Sequence, residues 1–408
     1  MERKIKILVI PSDRSGCGYF RSVKPHQFIA EHYSDQFDID IRYELPQNEQ
    51  LDKFLSQYDI LHIHKQLDKE CRIIQLAQFV GVKVIVDVDD YWDLGNDHPM
   101  SITAKAQNWK EPIINHIKIA DYVTTTTDIY KKSIEKYNRN VFVFPNAIDP
   151  TEEQFIPKPT ESDKLRFGII CGSSHEKDLD ILQGMVAQLP QDVLSQIQFV
   201  LCGFDTNGTV TTYNPQTNEF SSRPIQPQES VWYRYEKILT NNYKTVSPQH
   251  AQFLNMFIAQ TDFPITNEAY RRCWTKDISQ YATHYNNIDV LLVPLKENTF
   301  NAHKSQLKVI ESGFFNKAII AQNFGPYQID LIPMIEKGGK INENGNALMV
   351  ETSKNHKQWA KYIIKLTKDR EMLNKLRENL HNTVKDKYHI KTICEQRVKE
   401  YLKIMGKQ

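Results

Sequence analysis

The sequence predicts an α/β protein made of two doubly wound domains that face each other across a cleft. Residues 1–150 alternate short apolar runs with segments of helical periodicity, which is the pattern of a parallel sheet wrapped by helices. A polar, proline-containing stretch at 152–164 interrupts this alternation, and a second alternating half begins at residue 165. The chain of 408 residues is long enough to form a separate core in each half.

The first half supplies six strand-like runs with helical segments between them. The predicted strands are 5–10, 38–43, 60–63, 82–86, 122–125 and 141–144. Three intervening segments, at 23–33, 70–80 and 113–120, have the apolar spacing that is typical of helices. The sequence PNAIDP at 145–150 then ends the pattern, so we place the boundary of the first domain at residue 150.

The second half repeats the alternation and carries an insertion. The predicted strands are 165–170, 197–201, 290–293 and 318–321, and the predicted helices are 179–188, 302–315 and a helical tail at 359–405. Residues 205–270 do not fit the alternation, since 207–223 has the composition of a long loop or hairpin and 233–257 is partly helical. We interpret 205–270 as a functional insertion in a second domain of residues 151–385.

Composition and charge argue against several classes of protein. The formal net charge is +1, so no overall positive field attracts nucleic acid, and no nucleic-acid partner is expected. Six scattered cysteines without a CxxC pair indicate reduced thiols in a cytoplasmic protein. No run reaches the roughly 20 apolar residues of a membrane span, and the first apolar run is too short for a signal peptide. Peripheral contact with the inner face of a membrane stays open.

The segment FNAHKSQLKVIE at 300–311 carries the clearest chemical signal. It follows the apolar run 290–294 and has the character of a loop that opens a helix, with Asn301 as the capping residue. A helix N-terminus favours negative charge, and Lys304 adds a positive charge near it. A phosphate near Lys304 and a sugar diol near Glu311, two turns further along, would together describe a nucleotide-sugar. The alternative is an amphipathic surface helix with solvated lysines.

Four segments in order along the chain carry a family pattern. They are SGCGYFR at 15–21, the pair ADYVTTTT at 120–127 and VFPNAID at 143–149, GSSHEKDL at 172–179, and 300–311 with GPY at 325–327 and GNAL at 345–348 behind it. With this order and spacing the chain resembles the retaining glycosyltransferases of the GT-B fold, in the group that family 4 (glycosyl transferases group 1) represents. The resemblance implies two Rossmann-like domains, an acceptor on the first and a nucleotide-sugar donor on the second. It also implies a C-terminal helix, within 386–408, that packs back toward the N-terminal domain.

The resemblance further assigns residues to the donor. The family's signature is two glutamates with seven residues between them. Glu311 matches the second, which implies contact with the ribose hydroxyls, whereas His303 stands in place of the first, which touches the donor sugar; a neutral histidine could still hydrogen-bond a sugar hydroxyl. Lys177 matches a phosphate-binding lysine, and Ser173 stands where many relatives have a basic residue. The residues assigned to catalysis are Lys304, Glu311 and His303, and those assigned to donor and nucleotide binding are Gly16, Gly18, Arg21, Gly172, Ser173, His175, Lys177, Asn301, Ser305, Leu307 and Glu311.

An acidic run, Asp87-Val88-Asp89-Asp90, follows one of the predicted strands. Carboxylates of this kind bind Mg²⁺ or Mn²⁺ in other proteins. The resemblance instead implies a fold that neutralises the leaving diphosphate with basic residues and helix dipoles, so we expect no metal and no other cofactor. We assign Asp87, Asp89 and Asp90 to the acceptor side of the cleft together with His98. The alternative is that these carboxylates cap the following helix.

These assignments predict a glycosyltransferase of the hexosyl type that moves a sugar from a nucleotide-diphosphate sugar to an acceptor hydroxyl, with retention at the anomeric carbon. The resemblance implies a role in bacterial-type surface polysaccharide or glycoconjugate synthesis, with a glycan, lipid-linked or protein acceptor. Two alternatives stay open. One is an epimerase of the same fold, and the other is a non-catalytic sugar-nucleotide-binding subunit, which the histidine at 303 makes reasonable.

Overall fold

The fold is seen in a computed structural model that describes residues 3–46, 50–65, 71–256, 268–352 and 356–407. Within these ranges the chain forms two six-stranded parallel sheets and a separate two-stranded hairpin. Helices flank both sheets, so the predicted α/β fold class with two doubly wound domains is confirmed. Among the described residues, no helix combines the length and apolar character needed to cross a membrane.

The first domain is built on six parallel strands. In chain order they are β1 (Ile5–Ile10), β2 (Phe37–Ile41), β3 (Ile60–His64), β4 (Lys83–Asp87), β5 (Tyr122–Thr125) and β6 (Val141–Val143). Their spatial order is β2-β1-β3-β4-β5-β6, so the chain reverses direction across the sheet between β1 and β3. Residues Ile7 and Val9 of β1 pack into one hydrophobic cluster and Leu8 into another, because a parallel sheet is covered on both faces.

The second domain repeats this plan around a second parallel sheet. Its strands are β7 (Leu165–Ile170), β8 (Ile197–Phe204), β9 (Thr209–Asn214), β10 (Glu219–Pro224), β11 (Tyr270–Trp274), β12 (Val290–Val293), β13 (Ala318–Gln322) and β14 (Leu348–Val350). The sheet order is β11-β8-β7-β12-β13-β14, and β9 with β10 forms the antiparallel hairpin. The direction of winding reverses between β7 and β12. In open parallel sheets, ligands bind beyond the carboxyl ends of the strands at such a reversal.

Helices connect the strands in both domains. Those of the first domain are α1 (Gly16–Gly18), α2 (Lys24–His32), α3 (Leu51–Leu55), α4 (Arg72–Phe79), α5 (Ser101–Ala106), α6 (Lys110–Ile119) and α7 (Asp128–Ile134). Those that follow are α8 (Glu176–Leu179), α9 (Gln191–Leu194), α10 (Val231–Leu239), α11 (Pro248–Asn255), α12 (Thr299–Ala302), α13 (Leu307–Phe314), α14 (His356–Lys368), α15 (Arg370–Val384) and α16 (Ile390–Ile404).

The last helix, α16, lies on the first domain. The hydroxyl of Tyr401 is 2.9 Å from Nε2 of His26 in α2, and Cys394 and Val398 join the hydrophobic cluster of β1. Where the chain returns, Ile148 N–H donates to the carbonyl of Tyr388 at 2.9 Å and Ile390 N–H donates to the carbonyl of Ile148 at 2.8 Å. The outgoing and returning connections between the domains therefore run side by side.

The helix predicted at 302–315 is two helices. α12 ends at Ala302, a turn at 303–306 follows, and α13 begins at Leu307. The oxygen of the Asn298 side chain accepts a hydrogen bond from the Asn301 N–H at 2.8 Å and caps α12. The prediction of Asn301 as the capping residue is wrong, because its side chain makes contacts elsewhere, described below.

One other prediction for the second domain needs correction, and two of its strands were missed. The helix at 179–188 is broken into α8 and short 3₁₀ turns, because Gly184 has a φ of 88° that no helix continues. Strands β11 and β14 are not predicted, the first because it starts where the supposed insertion ends. The insertion itself contains the predicted hairpin and the helices α10 and α11, while 257–267 lies outside the described residues.

Candidate functional site

Two loops meet at the reversal point of the second sheet, and Asp178 joins them. Its Oδ1 accepts hydrogen bonds from the Lys296 N–H at 2.8 Å and from the Asn301 side chain at 2.9 Å, both in the loop after β12. Its Oδ2 accepts a hydrogen bond from Nδ1 of His175, in the loop after β7, at 2.7 Å. Asp178 is only 3% exposed, so this carboxylate holds the two loops together and is not itself available to a ligand.

His175 presents a neutral ring nitrogen to the site. Burial and the charges of Lys304 and Lys308 lower its pKa to about 3, in spite of the Asp178 carboxylate. Because Nδ1 donates to Asp178, Nε2 carries the lone pair, and it lies 3.5 Å from Nζ of Lys308. His175 therefore positions a lysine, which differs from the predicted direct contact with the donor.

Lys304 is the cation at the centre of the site. Burial lowers its pKa, and no carboxylate of the described residues lies within ion-pair distance of its ammonium group. The ammonium lies 5.2 Å from the ring centroid of Phe300, a contact that neutralises no charge. An unpaired, partly buried cation favours an anionic ligand, as the sequence predicted for this residue.

The first domain forms the opposite wall through the loop after β4. The ring of the half-buried His98 packs edge-on against Phe300 at 5.1 Å, and burial with the charge of Lys304 lowers the pKa of His98. Asp97 and Lys296 form an ion pair across the cleft at 2.9 Å. His98 is therefore placed at the cleft beside Lys304, where the sequence assigned it to the acceptor.

The carboxylates of Asp89 and Asp90 share a lysine. Nζ of Lys65 is 2.7 Å from Asp89 and 3.1 Å from Asp90, and Nε2 of His64 is 3.1 Å from Asp89. Burial opposes ionisation, yet Lys65 and His64 hold the pKa of Asp89 well below its ordinary value. With Cys17, these two carboxylates make the one group of three possible metal ligands in the described ranges. Asp90 is 38% exposed and Asp89 only 10%, so Asp90 is the better placed of the two for an acceptor.

Arg21 and Asp87 are paired in the interior of the first domain. Nε and Nη2 of Arg21 donate to the two oxygens of Asp87 at 3.0 and 2.8 Å, and the side chains are 1% and 0% exposed. Arg21 also donates from Nη1 to the carbonyl of Phe144 and to the side chain of Asn146. The predicted contacts of Arg21 with the donor and of Asp87 with the acceptor do not fit this burial, and we reassign both residues to the support of the cleft.

The predicted glycine loop after β1 is the start of a helix. The carboxylate of Asp13 accepts hydrogen bonds from the N–H groups of Ser15 and Gly18 at 2.7 and 3.1 Å, so a negative charge already caps this end. A Cβ at Gly18 would lie 2.0 Å from the carbonyl oxygen of Asp13, which explains the glycine. Gly16 approaches the second domain at Ile278. The structure thus gives these glycines packing roles, and a role beneath the phosphates stays a prediction.

The remaining donor residues lie around Lys304. Gly172 and Ser173 are exposed at the end of β7, and Lys177 is 42% exposed. The hydroxyl of Ser305 accepts a hydrogen bond from the Asn146 side chain at 3.2 Å, and Leu307 packs against the hydrophobic cluster beneath β12. Gly172, Ser173 and Lys177 are accessible to a ligand from solvent, whereas Ser305 and Leu307 act through packing and hydrogen bonding.

Glu311 is covered by two tyrosines. The hydroxyl of Tyr281 donates to Oε1, that of Tyr285 donates to Oε2 at 2.7 Å, and the carboxyl group is 3% exposed. Burial raises the pKa of Glu311 to about 7, although both hydroxyls and Lys308 act in the opposite direction. The predicted contact with ribose therefore requires one tyrosine to move.

His303 does not face an open part of the cleft. It is 9% exposed, with Nδ1 2.6 Å from the Thr299 carbonyl and Nε2 2.8 Å from the hydroxyl of Ser133 in the first domain. Both nitrogens are used, so the predicted hydrogen bond to a sugar hydroxyl is not available in this arrangement. The departure from the family signature at position 303 thus coincides with a contact between the domains.

Several residues that build the site were not assigned to it from the sequence. Lys308 stands four residues after Lys304, and this helical spacing was the available signal. Asp178 follows His175 by three residues, a spacing that suits a pair on one helical turn. Nothing in the sequence indicates that Tyr281 would reach Glu311, because the two belong to different elements.

Comparisons with known proteins identify the architecture. No protein-family model matches the chain, and no curated protein is similar to it in sequence. Solved structures of similar fold include HepE from Anabaena in complex with UDP (TM-score 0.61, 12% identity, covering 98% of this chain and 99% of that chain), a sucrose-phosphate synthase from Thermosynechococcus elongatus (0.62, 14%, 100% of both chains), and the catalytic domain of starch synthase IV from Arabidopsis thaliana bound to ADP and acarbose (0.58, 11%, 98% of both chains).

These similarities extend over nearly the whole of each chain and include both domains and the cleft between them. At identities of 11–14% they concern the fold and not the reaction. Each of the two parallel sheets also has one point at which the direction of winding reverses. The structural similarities and this topology together show that the chain has the GT-B fold.

Proposed function

We propose that the protein is a glycosyltransferase that moves a sugar from a nucleotide-diphosphate sugar to an acceptor hydroxyl, with retention at the anomeric carbon. One observation carries the proposal. Lys304 and Lys308 stand together at the reversal point of the second sheet, and no carboxylate of the described residues lies within ion-pair distance of either ammonium group. Two adjacent, partly desolvated cations repel each other until an anion binds between them. A diphosphate fits this requirement.

Sugar transfer needs stabilisation of the departing diphosphate. Lys304 and Lys308 supply positive charge, and the exposed backbone at Gly172 and Ser173 supplies N–H groups at the end of β7. The start of α13 has no side-chain cap, so its free N–H groups are also available to an anion. These groups act where negative charge develops as the sugar–phosphate bond breaks. The ligands of a similar structure support the ligand class, since HepE was solved with UDP and with UDP-glucose.

We place the acceptor on the wall formed by the first domain. His98 and Asp90 lie across the cleft from Lys304. The charge of Asp90 acts to raise the pKa of Lys304, and the charge of Lys304 lowers the pKa of His98. In the proposed reaction an acceptor hydroxyl enters from this wall and attacks the anomeric carbon on the face that the diphosphate leaves, so that the configuration is retained. A surface glycan, a lipid-linked sugar or a protein side chain could present that hydroxyl, and the assignment to polysaccharide or glycoconjugate synthesis stays a prediction.

A panel of donors tests the function directly. The full chain is mixed with UDP-, ADP-, GDP- and dTDP-sugars, and unfolding temperature is measured for each. We expect one nucleotide to raise the midpoint by several degrees, because ligand that binds only the folded state stabilises it by mass action. The same donor should then release nucleoside diphosphate slowly in water and faster with the right acceptor, and NMR of the product should show the donor's anomeric configuration.

The outcomes separate the proposal from its alternatives. Binding of a donor without turnover by any acceptor in a broad glycan panel would indicate a non-catalytic subunit. Conversion of the donor into a second nucleotide-sugar would indicate an epimerase. Inversion at the anomeric carbon would overturn the retaining mechanism while leaving sugar transfer intact.

We propose that the ribose diol takes the place of Tyr281 on Glu311. Replacing Tyr281 by phenylalanine is then expected to tighten nucleotide binding about tenfold, because a hydrogen bond to a charged group worth about 1.5 kcal/mol no longer has to be broken. Tyr285→Phe is the matched control, since its hydroxyl contacts the other carboxylate oxygen and is fully buried. Calorimetric titration with the nucleoside diphosphate measures both; weaker binding of the nucleotide by Tyr281→Phe would contradict the exchange.

A further inference from the structure

The turn at 303–306 is held by the first domain on both sides of Lys304. On one side is His303, whose Nδ1 lies 2.6 Å from the carbonyl of Thr299 and must therefore carry the proton. Nε2 is then an acceptor, and the hydroxyl of Ser133 in α7 donates to it at 2.8 Å. Burial lowers the pKa of His303, which keeps this ring neutral and this donor direction in place.

The ring of His303 is also packed by the first domain. Tyr91 stacks on it with centroids 4.3 Å apart and planes 19° from parallel, and Tyr130 meets it edge-on at 5.5 Å. Aromatic contacts of this geometry add to the burial they provide. The side chain of His303, in the second domain, is thus contacted by three residues of the first domain: Ser133, Tyr91 and Tyr130.

On the other side of Lys304 is Ser305. Its hydroxyl accepts a hydrogen bond from the side chain of Asn146 at 3.2 Å, and Asn146 is held in turn by Nη1 of Arg21 at 3.1 Å. Arg21 is fixed by its two hydrogen bonds to Asp87 at the end of β4. A chain of hydrogen bonds therefore runs from the first sheet to the residue after Lys304.

We infer that Ser133, acting through His303, and Asn146, acting through Ser305, are positioning residues that set Lys304 in place only when the two domains are together. The residues on either side of Lys304 are each fastened to the first domain, so separation of the domains releases the turn that carries the lysine. The diphosphate site is then complete only in the closed arrangement. The expected effect on sugar transfer rests on the proposed function. The expected effect on the arrangement of the two domains rests only on the contacts between them.

The test uses Ser133→Ala, which removes the hydroxyl but lies outside the phosphate site, with Ser133→Thr to restore a hydroxyl. We expect Ser133→Ala to raise the Kd of the free nucleoside diphosphate about fivefold, because a loosened Lys304 holds the diphosphate less well, with a comparable fall in kcat/KM, and we expect Ser133→Thr to recover most of both losses. The matched control is Ser195→Ala, an exposed serine whose hydroxyl donates to the carbonyl of Asp192 at 3.0 Å. That control is expected to behave as the unmodified protein.

A double-mutant cycle decides what His303 contacts. If it acts with Ser133, then Ser133→Ala adds nothing to the effect of His303→Ala, since each removes the same interaction. Additive losses, or a silent Ser133→Ala beside an impaired His303→Ala, would mean that His303 touches the substrate itself and would overturn the inference.

A ligand-free measurement separates this inference from the proposed function. Small-angle X-ray scattering of the double variant Ser133→Ala with Asn146→Ala should show a larger radius of gyration than the unmodified chain, even if no nucleotide-sugar is ever found. An unchanged radius of gyration in a variant that remains folded by circular dichroism would refute the role in domain arrangement. Failure of every donor with an enlarged radius would refute the proposed function and leave the domain contact standing.

Discussion

Replacing Lys304 by alanine is expected to abolish the rise in unfolding temperature caused by the nucleoside diphosphate and to lower sugar transfer by about 100-fold or more. Lys304 has no acidic partner within ion-pair distance among the described residues, so in its absence a bound diphosphate loses its principal counter-charge. Loss of one preorganised group that stabilises transition-state charge costs about 100- to 1,000-fold in kcat. Thermal-shift titration and steady-state kinetics measure the two effects.

The ligand-free stability of this variant distinguishes a lost site from a lost fold. The charges of Lys304 and Lys308 repel each other in the folded protein. Removing Lys304 relieves this repulsion, so the alanine variant should unfold at the same temperature as the original protein or slightly above it. Lys177→Ala is the comparison, because Lys177 already has Glu176 and Asp180 nearby at 3.8 and 3.9 Å and should matter less. A full nucleotide response in Lys304→Ala would remove the basis of the site.

Replacing Arg21 by alanine is expected to lower the free energy of unfolding by about 3–5 kcal/mol, the cost of leaving a buried carboxylate without its partner. Asp87 would keep the hydroxyl of Thr124, which donates to Oδ2 at 2.5 Å, and Nε2 of His64, 3.9 Å from Oδ1, but the loss of Arg21 lets burial raise its pKa. Urea unfolding followed by circular dichroism measures the change.

The exposed pair of Arg223 with Glu229 provides the control for that experiment. It has the same two-point geometry, at 2.8 and 2.7 Å, but lies at the surface on the hairpin, where solvent screens the charges. Arg223→Ala should leave the denaturant midpoint almost unchanged. A similar, small change in both variants would contradict the view that the buried pair supports the cleft.

Most strands of the parallel sheets could be predicted because they are short, largely apolar runs that the local sequence reveals. β1, β5, β7 and β12 were predicted with the bounds that the structure shows, since the strands of a parallel sheet covered on both faces are rich in apolar residues. The three-residue strand β14 is too short to give such a pattern, and β11 carries two arginines, one of which is paired with a glutamate in α10. When a buried strand contains polar residues that pair with residues far away in the chain, its local sequence lacks the apolar pattern by which a strand is predicted.

Part of the site could be predicted from the sequence. The rest could not, because it depends on contacts between residues that are far apart in the chain. Lys304 could be assigned to an anion site because the apolar strand before it and the start of the helix beside it are both visible in the local sequence. Arg21 and Asp87 lie 66 positions apart, so the sequence around either residue does not show that they form a pair. It therefore does not show that both are buried and not exposed in the cleft. Tyr281 covers Glu311 for the same reason, as contacts between separate elements are set by tertiary packing. His303 takes its role from residues of the other domain.

The side-by-side connections at Ile148 and Tyr388–Ile390 constrain how the cleft can open. Two segments joined by hydrogen bonds of 2.9 and 2.8 Å connect the domains at one place, so neither segment moves there without the other. The opening movement is therefore more restricted than a single connection would make it. A chain shortened before residue 386 would keep one connection between the domains, and it would also lose α16, whose residues Cys394 and Val398 belong to the hydrophobic cluster of β1.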